Sequence, residues 1–305
     1  MVYFNYYISV IIWQLFNPFG FYQSLSQNIG QIISIFRWII WKGAIEYIPM
    51  TLPFSGQWKV FNGGTDKLNS HSWNVISQRY AYDFVISENG NKRFKTDWKR
   101  ATDYFAFNQD VLAPNDGVVV AAKNQIKDYK YAGSGKIDIW TKDIRGNFII
   151  IKHDENIYSL SAHLKKNSCL VKKGDVVKRG QNIAKCGNSG HSAEPHIHFQ
   201  LQDNANWYFS NGLPIIFANI NKNNTDTNYT KTIEPIYISK NDIVSNSNSS
   251  NHPSGKMKVE LNLFDDLLSP LIWSIINALG IIVGGVFIYY TLIKLIFRIG
   301  KLLIG

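Results

Sequence analysis

The feature that most constrains the fold is a series of short apolar or alternating segments between Thr51 and Phe217. Turn-forming residues separate them, as in Asn62-Gly63-Gly64 and Gly187-Asn188-Ser189-Gly190. No long segment in this range repeats its apolar residues with the period of a helix. The pattern therefore predicts a mainly β domain, with an antiparallel sheet, a sandwich or a partial barrel. The predicted strands are Trp58–Phe61, Ala81–Ile86, Gly117–Ala122, Ile137–Trp140, Phe148–Lys152, Ile157–Ala162 and Ile197–Leu201.

Composition narrows the classes of function. The formal net charge of +10 suits an anionic neighbourhood, which is nucleic acid, acidic lipid headgroups or an anionic cell wall. No basic tract with interleaved aromatic residues is present, and no zinc-finger or RNA-binding signature, so nucleic acid is the weakest of the three. Cys169 and Cys186 are too few for a disulfide scaffold. Buried thiols are favoured over a single bridge between them.

The first 48 residues are predicted to be a hydrophobic, membrane-associated region. Met1–Phe36 contains no charged residue. The segment lacks the positively charged start and the small-residue cleavage site of a signal peptide. Two arrangements remain open: one spanning helix within Val2–Leu25, or an amphipathic segment that lies in the membrane interface.

The chain after the β domain has two further parts. Residues 218–264 are rich in Asn, Thr and Ser, which predicts a linker, and a strand at Ile233–Ile243 within it is left open. Leu267–Ile293 has 27 residues without a charge and is predicted to be a transmembrane helix. Residues 294–305 form a short basic tail. Positively charged residues beside a transmembrane helix tend to stay on the cytoplasmic side of the membrane. This tail is therefore expected in the cytoplasm, and residues 51–217 are expected outside the cell membrane.

Two short motifs point to metal chemistry. His196-Ile197-His198 stands at the start of a predicted strand, where both imidazoles project from one face. They can bind one metal ion together, or one can bind while the other transfers protons; the alternative is a polar pair on a solvated face. Ala81, Asp83 and Val85 share another strand face. A carboxylate between apolar neighbours needs a metal ion or a buried partner, such as a salt bridge to Arg79.

Six motifs between Thr51 and Phe217 occur in a recognisable order. They are Val111–Gly117, Gly146-Asn147 leading to His153, Ala162-His163-Leu164, Val171–Val177, Gly187–Gly190 and Glu194–Phe199. In this combination the chain resembles the M23 zinc metallopeptidases, the lysostaphin- and LytM-like endopeptidases of bacterial cell walls. The resemblance implies a β-sheet or sandwich of the LytM-like, duplicated hybrid type. It also implies Zn²⁺ as cofactor and hydrolysis of peptide bonds in peptidoglycan.

By this resemblance, His71, Asp83 and His198 are the zinc ligands. His163 and His196 are then catalytic residues that orient water and stabilise the tetrahedral intermediate. One feature departs from the commonest family pattern, in which the first His and Asp are four residues apart. His71 and Asp83 are twelve apart, and the chain has no histidine nearer to Asp83 on that side. The longer loop is similar to that of a branch of the family.

Two other classes of function remain open. One is a non-catalytic LytM-like module that binds the wall, or recruits or activates another hydrolase. The other is a carrier module of the biotinyl or lipoyl type, which needs a modifiable lysine on a hairpin tip. The only suggestive cluster, Gly255-Lys256-Met257-Lys258, lies in the predicted linker. The expected partners are peptidoglycan peptides as substrate and membrane lipid through the terminal hydrophobic segments, without nucleic acid; the oligomeric state is left open.

Overall fold

The computed structural model describes residues 2–40, 44–88, 91–223, 230–232, 235–247, 256–260, 269–280 and 283–284. Its helices are α1 (Val2–Phe16) and α2 (Pro18–Ile40), and residues 269–280 are also helical. The strands are β1 (Ala44–Tyr47), β2 (Trp58–Asn62), β3 (Tyr82–Val85), β4 (Asp110–Leu112), β5 (Gly117–Lys123), β6 (Asn147–Asp154), β7 (Ile157–Leu164), β8 (Val176–Val177), β9 (Asn182–Lys185), β10 (Ile197–Gln202), β11 (Gly212–Leu213), β12 (Ile220–Asn223), β13 (Thr230–Thr232), β14 (Ile243–Asn246) and β15 (Met257–Glu260).

Eleven of these strands form one antiparallel sheet. Within the described residues their order is β13-β12-β14-β2-β3-β10-β7-β6-β5-β8, and β11 pairs with β10 beside this path. Two small antiparallel sheets, β1-β15 and β4-β9, complete the strand pairing. The prediction of a mainly β, antiparallel architecture is confirmed.

The centre of the large sheet is buried on both faces. Ile149 and Ile151 of β6 belong to the main apolar core, together with Phe199 of β10. Ile150 of the same strand faces a second cluster with Trp207. Each fully buried side chain of this size contributes about 2 kcal/mol of transfer free energy. The register of the central strands is therefore held by apolar packing on both sides of the sheet.

Six of the seven predicted strands are confirmed, and the prediction for Ile137–Trp140 is wrong. Residues 137 and 138 have no regular secondary structure, and residues 139 and 140 form a turn. The Asp138 side chain accepts a hydrogen bond from the backbone N–H of Trp140 at 2.9 Å, and its carbonyl accepts one from Thr141 at 3.2 Å. A short aspartate side chain competes in this way with the strand ladder, so the apolar pattern alone was misleading.

The predicted linker, residues 218–264, needs a correction. It contains β12, β13 and β14, which extend the large sheet, and β15, which pairs with β1. Ile220 and Val244 are buried in the main core. Strands pair through their backbones and can carry polar side chains on the solvent face. The polar composition of this segment therefore did not indicate that it contains strands.

The option of one spanning helix within Val2–Leu25 is also wrong. The helix breaks at Asn17, whose side chain accepts hydrogen bonds from the N–H groups of Phe19 and Gly20 at 2.9 and 3.3 Å. Pro18 then occupies the first position of α2, where its missing N–H costs nothing. The chain therefore turns between α1 and α2, and both helices pack against each other.

Part of the predicted transmembrane helix Leu267–Ile293 lies outside the described residues. Residues 269–280 and 283–284 are described and helical. Across the described portion of the chain, we find no helix with the length and apolar character needed to cross a membrane.

Two glycines with left-handed backbones differ in how closely their surroundings are packed. Gly190 has φ of +78°, and a Cβ there would lie 2.4 Å from the carbonyl oxygen of Ile144. Gly180 has φ of +76°, and a Cβ there would meet no atom within 4 Å. We expect Gly180→Ala to lower the free energy of unfolding by about 1 kcal/mol, the cost of a left-handed backbone. Gly190→Ala adds the backbone clash and should cost at least about 3 kcal/mol.

Urea unfolding of the two variants beside the wild type measures both values. Equal losses would contradict the close packing of this turn against residues 144–146.

Candidate metal centre

Three neighbouring strands bring the candidate site together. β10 lies between β3 and β7. In the antiparallel register, His198 pairs with Asp83 of β3 on one side and with Ala162 of β7 on the other. His196 precedes β10 and shares the face of His198. His163 follows Ala162 on β7. The strand register therefore places Asp83, His196 and His198 on one face of the sheet. Alternation alone would turn His163, the neighbour of Ala162, to the other face, and its left-handed backbone (φ +59°) reverses this.

The three predicted ligands converge on one another. Nδ1 of His71 lies 3.4 Å from Oδ2 of Asp83, and Nδ1 of His198 lies 3.0 Å from Oδ1. The potential ligand atoms of the three residues all lie within 4.8 Å of one another. Asp83 and His198 are buried, whereas His71 is exposed. Among the residues that the structure describes, this trio is the group of His, Cys, Asp or Glu side chains that could hold a metal ion.

The other two predicted histidines stand directly beside this triad. The ring centroids of His163 and His196 are 4.7 Å apart, and those of His163 and His198 are 5.8 Å apart. Nε2 of His196 lies 3.6 Å from Oδ1 of Asp83. The structure thus brings together all five residues that the sequence nominated.

Backbone carbonyls orient both of these rings. Nδ1–H of His163 donates to the carbonyl oxygen of Ser189 at 2.8 Å, and Nδ1–H of His196 donates to that of Glu194 at 2.8 Å. Because the carbonyl takes the proton at Nδ1, Nε2 carries the lone pair in each neutral ring. Each of the two histidines therefore has a free basic nitrogen near the triad.

His198 is oriented in the opposite sense. Its Nε2–H donates to Oε1 of Gln200 at 3.0 Å, and its Nδ1 faces Asp83. The amide of Gln200 is fixed in turn, because its Nε2 donates to the carbonyl of Ser77 at 2.9 Å. A neutral His198 therefore presents the lone pair of Nδ1 to the triad. An outward N–H held by an acceptor is the usual arrangement of a metal-binding histidine.

Electrostatics within the cluster favour an ionised aspartate. Burial raises the pKa of Asp83, but His71, His196 and His198 outweigh it and hold this pKa well below its ordinary value. Burial lowers the pKa of His198, yet the hydrogen bond and charge of Asp83 raise it above the ordinary value overall. The pKa of His163 is well below its ordinary value, because the ring is buried beside His196 and His198.

The backbone of His163 is in an uncommon conformation. Its φ is +59°, in the left-handed region that costs about 1–2 kcal/mol for a residue with a side chain. The N–H of His163 donates to the carbonyl of Arg145 at 2.9 Å, and its own carbonyl accepts from the N–H of Gly187 at 3.1 Å. These bonds hold the strained residue in place. Strain of this kind is often concentrated at functional sites.

The comparisons with known proteins match this part of the chain. Residues 98–209 match Peptidase family M23. The match covers 112 of the 305 residues and shows that this part of the chain is similar to the family. We name the β-rich part of the chain that contains the match the M23 domain. The match includes His163, His196 and His198, and it begins after His71 and Asp83. The unusual spacing of the first two candidate ligands thus falls outside the matched residues.

Curated relatives of this part of the chain include a peptidoglycan endopeptidase and a hydrolase activator. The chain is 41% identical over 91 residues to the peptidoglycan DD-endopeptidase ShyB of Vibrio cholerae, which covers 30% of this chain and 21% of that protein. It is 32% identical over 119 residues to the murein hydrolase activator NlpD of Escherichia coli, which covers 39% and 24%. The chain therefore spans about a quarter or less of the length of these relatives.

A solved structure with a similar chain is a zinc-containing peptidase from Vibrio cholerae. It has 22% sequence identity and a TM-score of 0.33, and the alignment covers 51% of this chain and 37% of that one. A TM-score of this size supports no inference about the site.

Helix α2 contributes residues that the sequence did not reveal as part of the site. Gln31 is buried, its Oε1 accepts from the N–H of Ile76 at 3.0 Å, and its Nε2 donates to the carbonyl of Asn74 at 2.7 Å. Gln27 donates to Oγ of Ser77 at 3.2 Å. These bonds fix the loop that leads from His71 to β3. The sequence signal was the repetition of glutamine at every fourth position of this helix, at Gln23, Gln27 and Gln31.

The other candidate groups lie outside the triad. Nδ1 of His153 bonds the carbonyl of Asp116, and burial lowers the pKa of His153 to about 4. His191 packs against Trp13 with ring centroids 4.2 Å apart. Cys169 and Cys186 are free thiols, as the sequence favoured.

Substitution of Gln31 tests the support from α2. Gln31→Leu keeps the volume and removes the bonds to Asn74 and Ile76, so we expect zinc to bind about tenfold more weakly. The matched control is Gln23→Leu on the same helix face. Gln23 bonds the carbonyl of Lys142 and the N–H of Ile144 instead. Competition with a chromophoric chelator measures both affinities.

If both variants lost the same affinity, the effect would reflect general loosening of α2 and not the position of His71.

Zinc affinity should also depend on pH. The metal ion requires Nδ1 of His198 without its proton. Asp83 raises the pKa of His198 above the ordinary value, so the proton competes from a pH above about 6.5. Affinity should be full above that pKa and fall by about tenfold per unit as the pH decreases through it. A chelator titration between pH 8 and pH 5.5 measures the slope; a flat profile would contradict the ligand role of His198.

Proposed function

We propose that this chain is a zinc-dependent endopeptidase that hydrolyses peptide bonds of bacterial cell-wall peptidoglycan. The observation that carries the proposal is the convergence of His71, Asp83 and His198 beside two histidines with free Nε2 atoms. The M23 match and the relative named a peptidoglycan DD-endopeptidase support this reaction and substrate class.

The donor set of the triad fits zinc. Two imidazole nitrogens and one carboxylate oxygen are a common ligand set of catalytic zinc, which leaves a fourth position for water or substrate. Polar groups also support the ligands from outside: Gln200 holds His198, and Nδ2 of Asn62 donates to Oδ2 of Asp83 at 3.0 Å. His71, Asp83 and His198 would therefore hold the ion.

When bound, the zinc ion supplies a Lewis acid that lowers the pKa of a water molecule and polarises the scissile carbonyl group. The chain's own part begins with His163, whose lowered pKa keeps Nε2 unprotonated at neutral pH and ready to accept a proton. His196 presents Nε2 beside Asp83, where a protonated ring can donate to the developing oxyanion. The backbone carbonyl groups of Ser189 and Glu194 hold the two rings in these orientations during proton transfer.

We further propose that the M23 domain acts outside the cell membrane, at the surface of the bilayer. The support is the net charge of +10, which suits anionic wall polymers and acidic lipid. Peptidoglycan peptides are the proposed substrate, and nucleic acid is not a proposed partner.

Three variants of the full chain test the enzyme proposal. We expect about one zinc ion per chain in the wild type and loss of zinc and of peptidoglycan hydrolysis in His198→Ala. His163→Ala should keep its zinc and lose at least about a hundredfold in rate, because it removes only a proton acceptor. His153→Gln, on another part of the sheet, is the control and should retain both properties. Metal analysis and release of soluble peptidoglycan fragments are the measurements.

The second candidate is a non-catalytic module that activates another hydrolase. The relatives named murein hydrolase activator favour it. In that case the wild type would release no fragments from any wall type, yet a separate murein hydrolase would work faster in its presence.

A further inference from the structure

Helix α2 has two faces of opposite character. Its inner face is polar and binds the M23 domain through Gln23, Gln27, Gln31, Ser34 and Arg37. Its outer face is apolar and exposed, with Phe19, Phe21, Tyr22, Leu25, Ile29, Ile32, Ile33 and Phe36. A helix on a water-soluble protein normally turns its apolar face inward and its polar face to solvent. The orientation of α2 is the reverse.

The outer face continues onto two further helices. Pro270, in the helical residues 269–280, accepts a hydrogen bond from Gln31 at 3.1 Å. A Cβ on Gly284 would lie 2.7 Å from the side chain of Leu15 in α1. The helical residues 2–40, 269–280 and 283–284 therefore form one layer, which we name the helical layer. Its other exposed apolar residues are Ile11, Ile12, Phe16, Leu271, Ile272, Ile275, Ile276, Leu279 and Val283.

Charge is nearly absent from the helical layer. Arg37 is the one charged side chain among residues 2–40 and 269–284, and it is paired with Asp203 of the M23 domain at 2.8 Å. Soluble proteins rarely expose contiguous apolar patches larger than a few hundred square ångströms. A surface of this extent without charge requires an apolar partner.

We propose that the helical layer lies in the plane of a lipid bilayer, with its outer face among the acyl chains and the M23 domain on the aqueous side. The polar contacts run from Gln23 to Arg37, so the axis of α2 follows the domain surface along most of its length. One flank of α2 thus meets protein while the opposite flank is free for lipid. This is the arrangement of an interfacial helix.

Lipid fits the outer face better than a second protein does. Protein interfaces surround an apolar centre with a polar rim and contain many hydrogen bonds. The exposed large hydrophobic side chains of the helical layer have no hydrogen-bonding group apart from the hydroxyl of Tyr22. In the sequence, residues 285–293 remain apolar, and Lys294, Arg298 and Lys301 follow. Such basic residues suit acidic headgroups.

The layer also fixes where the metal centre operates. Gln27 donates to Ser77, the carbonyl of Ser77 accepts from Gln200, and Gln200 accepts from His198. Three hydrogen bonds therefore separate the lipid-facing helix from a candidate ligand. The centre is held close to the bilayer surface and would act on molecules within reach of it.

Quenching at single cysteines tests the proposal on the full chain. In a Cys169→Ala, Cys186→Ala background, Leu25→Cys, Ile29→Cys and Ile276→Cys report on the helical layer. Leu170→Cys and Val176→Cys replace exposed apolar residues of the M23 domain and serve as controls. Each variant carries an environment-sensitive fluorophore in vesicles of phosphatidylcholine and phosphatidylglycerol. Spin-labelled lipid should reduce fluorescence at the layer positions by about twofold or more, and aqueous iodide should reduce it only at the controls.

Two results would overturn the proposal. Iodide quenching at Leu25, Ile29 and Ile276 as strong as at Val176 would place the face in water. Protection of these positions from both quenchers would indicate that protein, and not lipid, covers the outer face. A near-ultraviolet circular dichroism spectrum equal to that of the cysteine-free background establishes that each variant is folded. None of these readouts uses catalysis, so failure here is distinct from failure of the proposed enzyme activity.

Discussion

The pairing of β10 with β3 and β7 is the constraint on which the rest of the site depends. It sets His198 opposite Asp83 on one side and Ala162 on the other. A slip of one residue would turn His198 to the opposite face of the sheet, because side chains alternate along a strand. Apolar packing on both faces of the central strands prevents this slip. The register is therefore the foundation of the metal centre.

Within this register, the buried carboxylate of Asp83 is the group that the surrounding histidines contact. An ionised aspartate away from water is costly unless it is paired and hydrogen-bonded. Asp83 meets this requirement with three imidazoles and the amide of Asn62, and these neighbours hold its pKa low despite burial. The same cluster gives His163 and His198 opposite pKa shifts. The two imidazoles therefore differ in how readily they take up a proton because of their surroundings and not because of residue type.

The long loop between His71 and Asp83 needs support that a short one does not. Lengthening a loop from four to twelve residues adds about 1 kcal/mol of closure entropy. Gln27 and Gln31 of α2 bond this loop, and each hydrogen bond contributes about 1 kcal/mol. The helix whose outer face we assign to lipid therefore also stabilises the ligand loop.

The sequence by itself determined the mainly β class and six of the strands, because strand alternation is a local property. The five candidate site residues were nominated by the resemblance to the M23 metallopeptidases, and the structure brings them together. The sequence pattern predicted a strand at residues 137–140, where Asp138 instead bonds Trp140, and it missed strands within residues 218–264. The contacts of Gln31 and Gln200, and the outward apolar face of α2, were decided by the tertiary structure alone. They join residues far apart in the chain, and a local pattern records which residues are apolar or polar, but not which distant group each one meets.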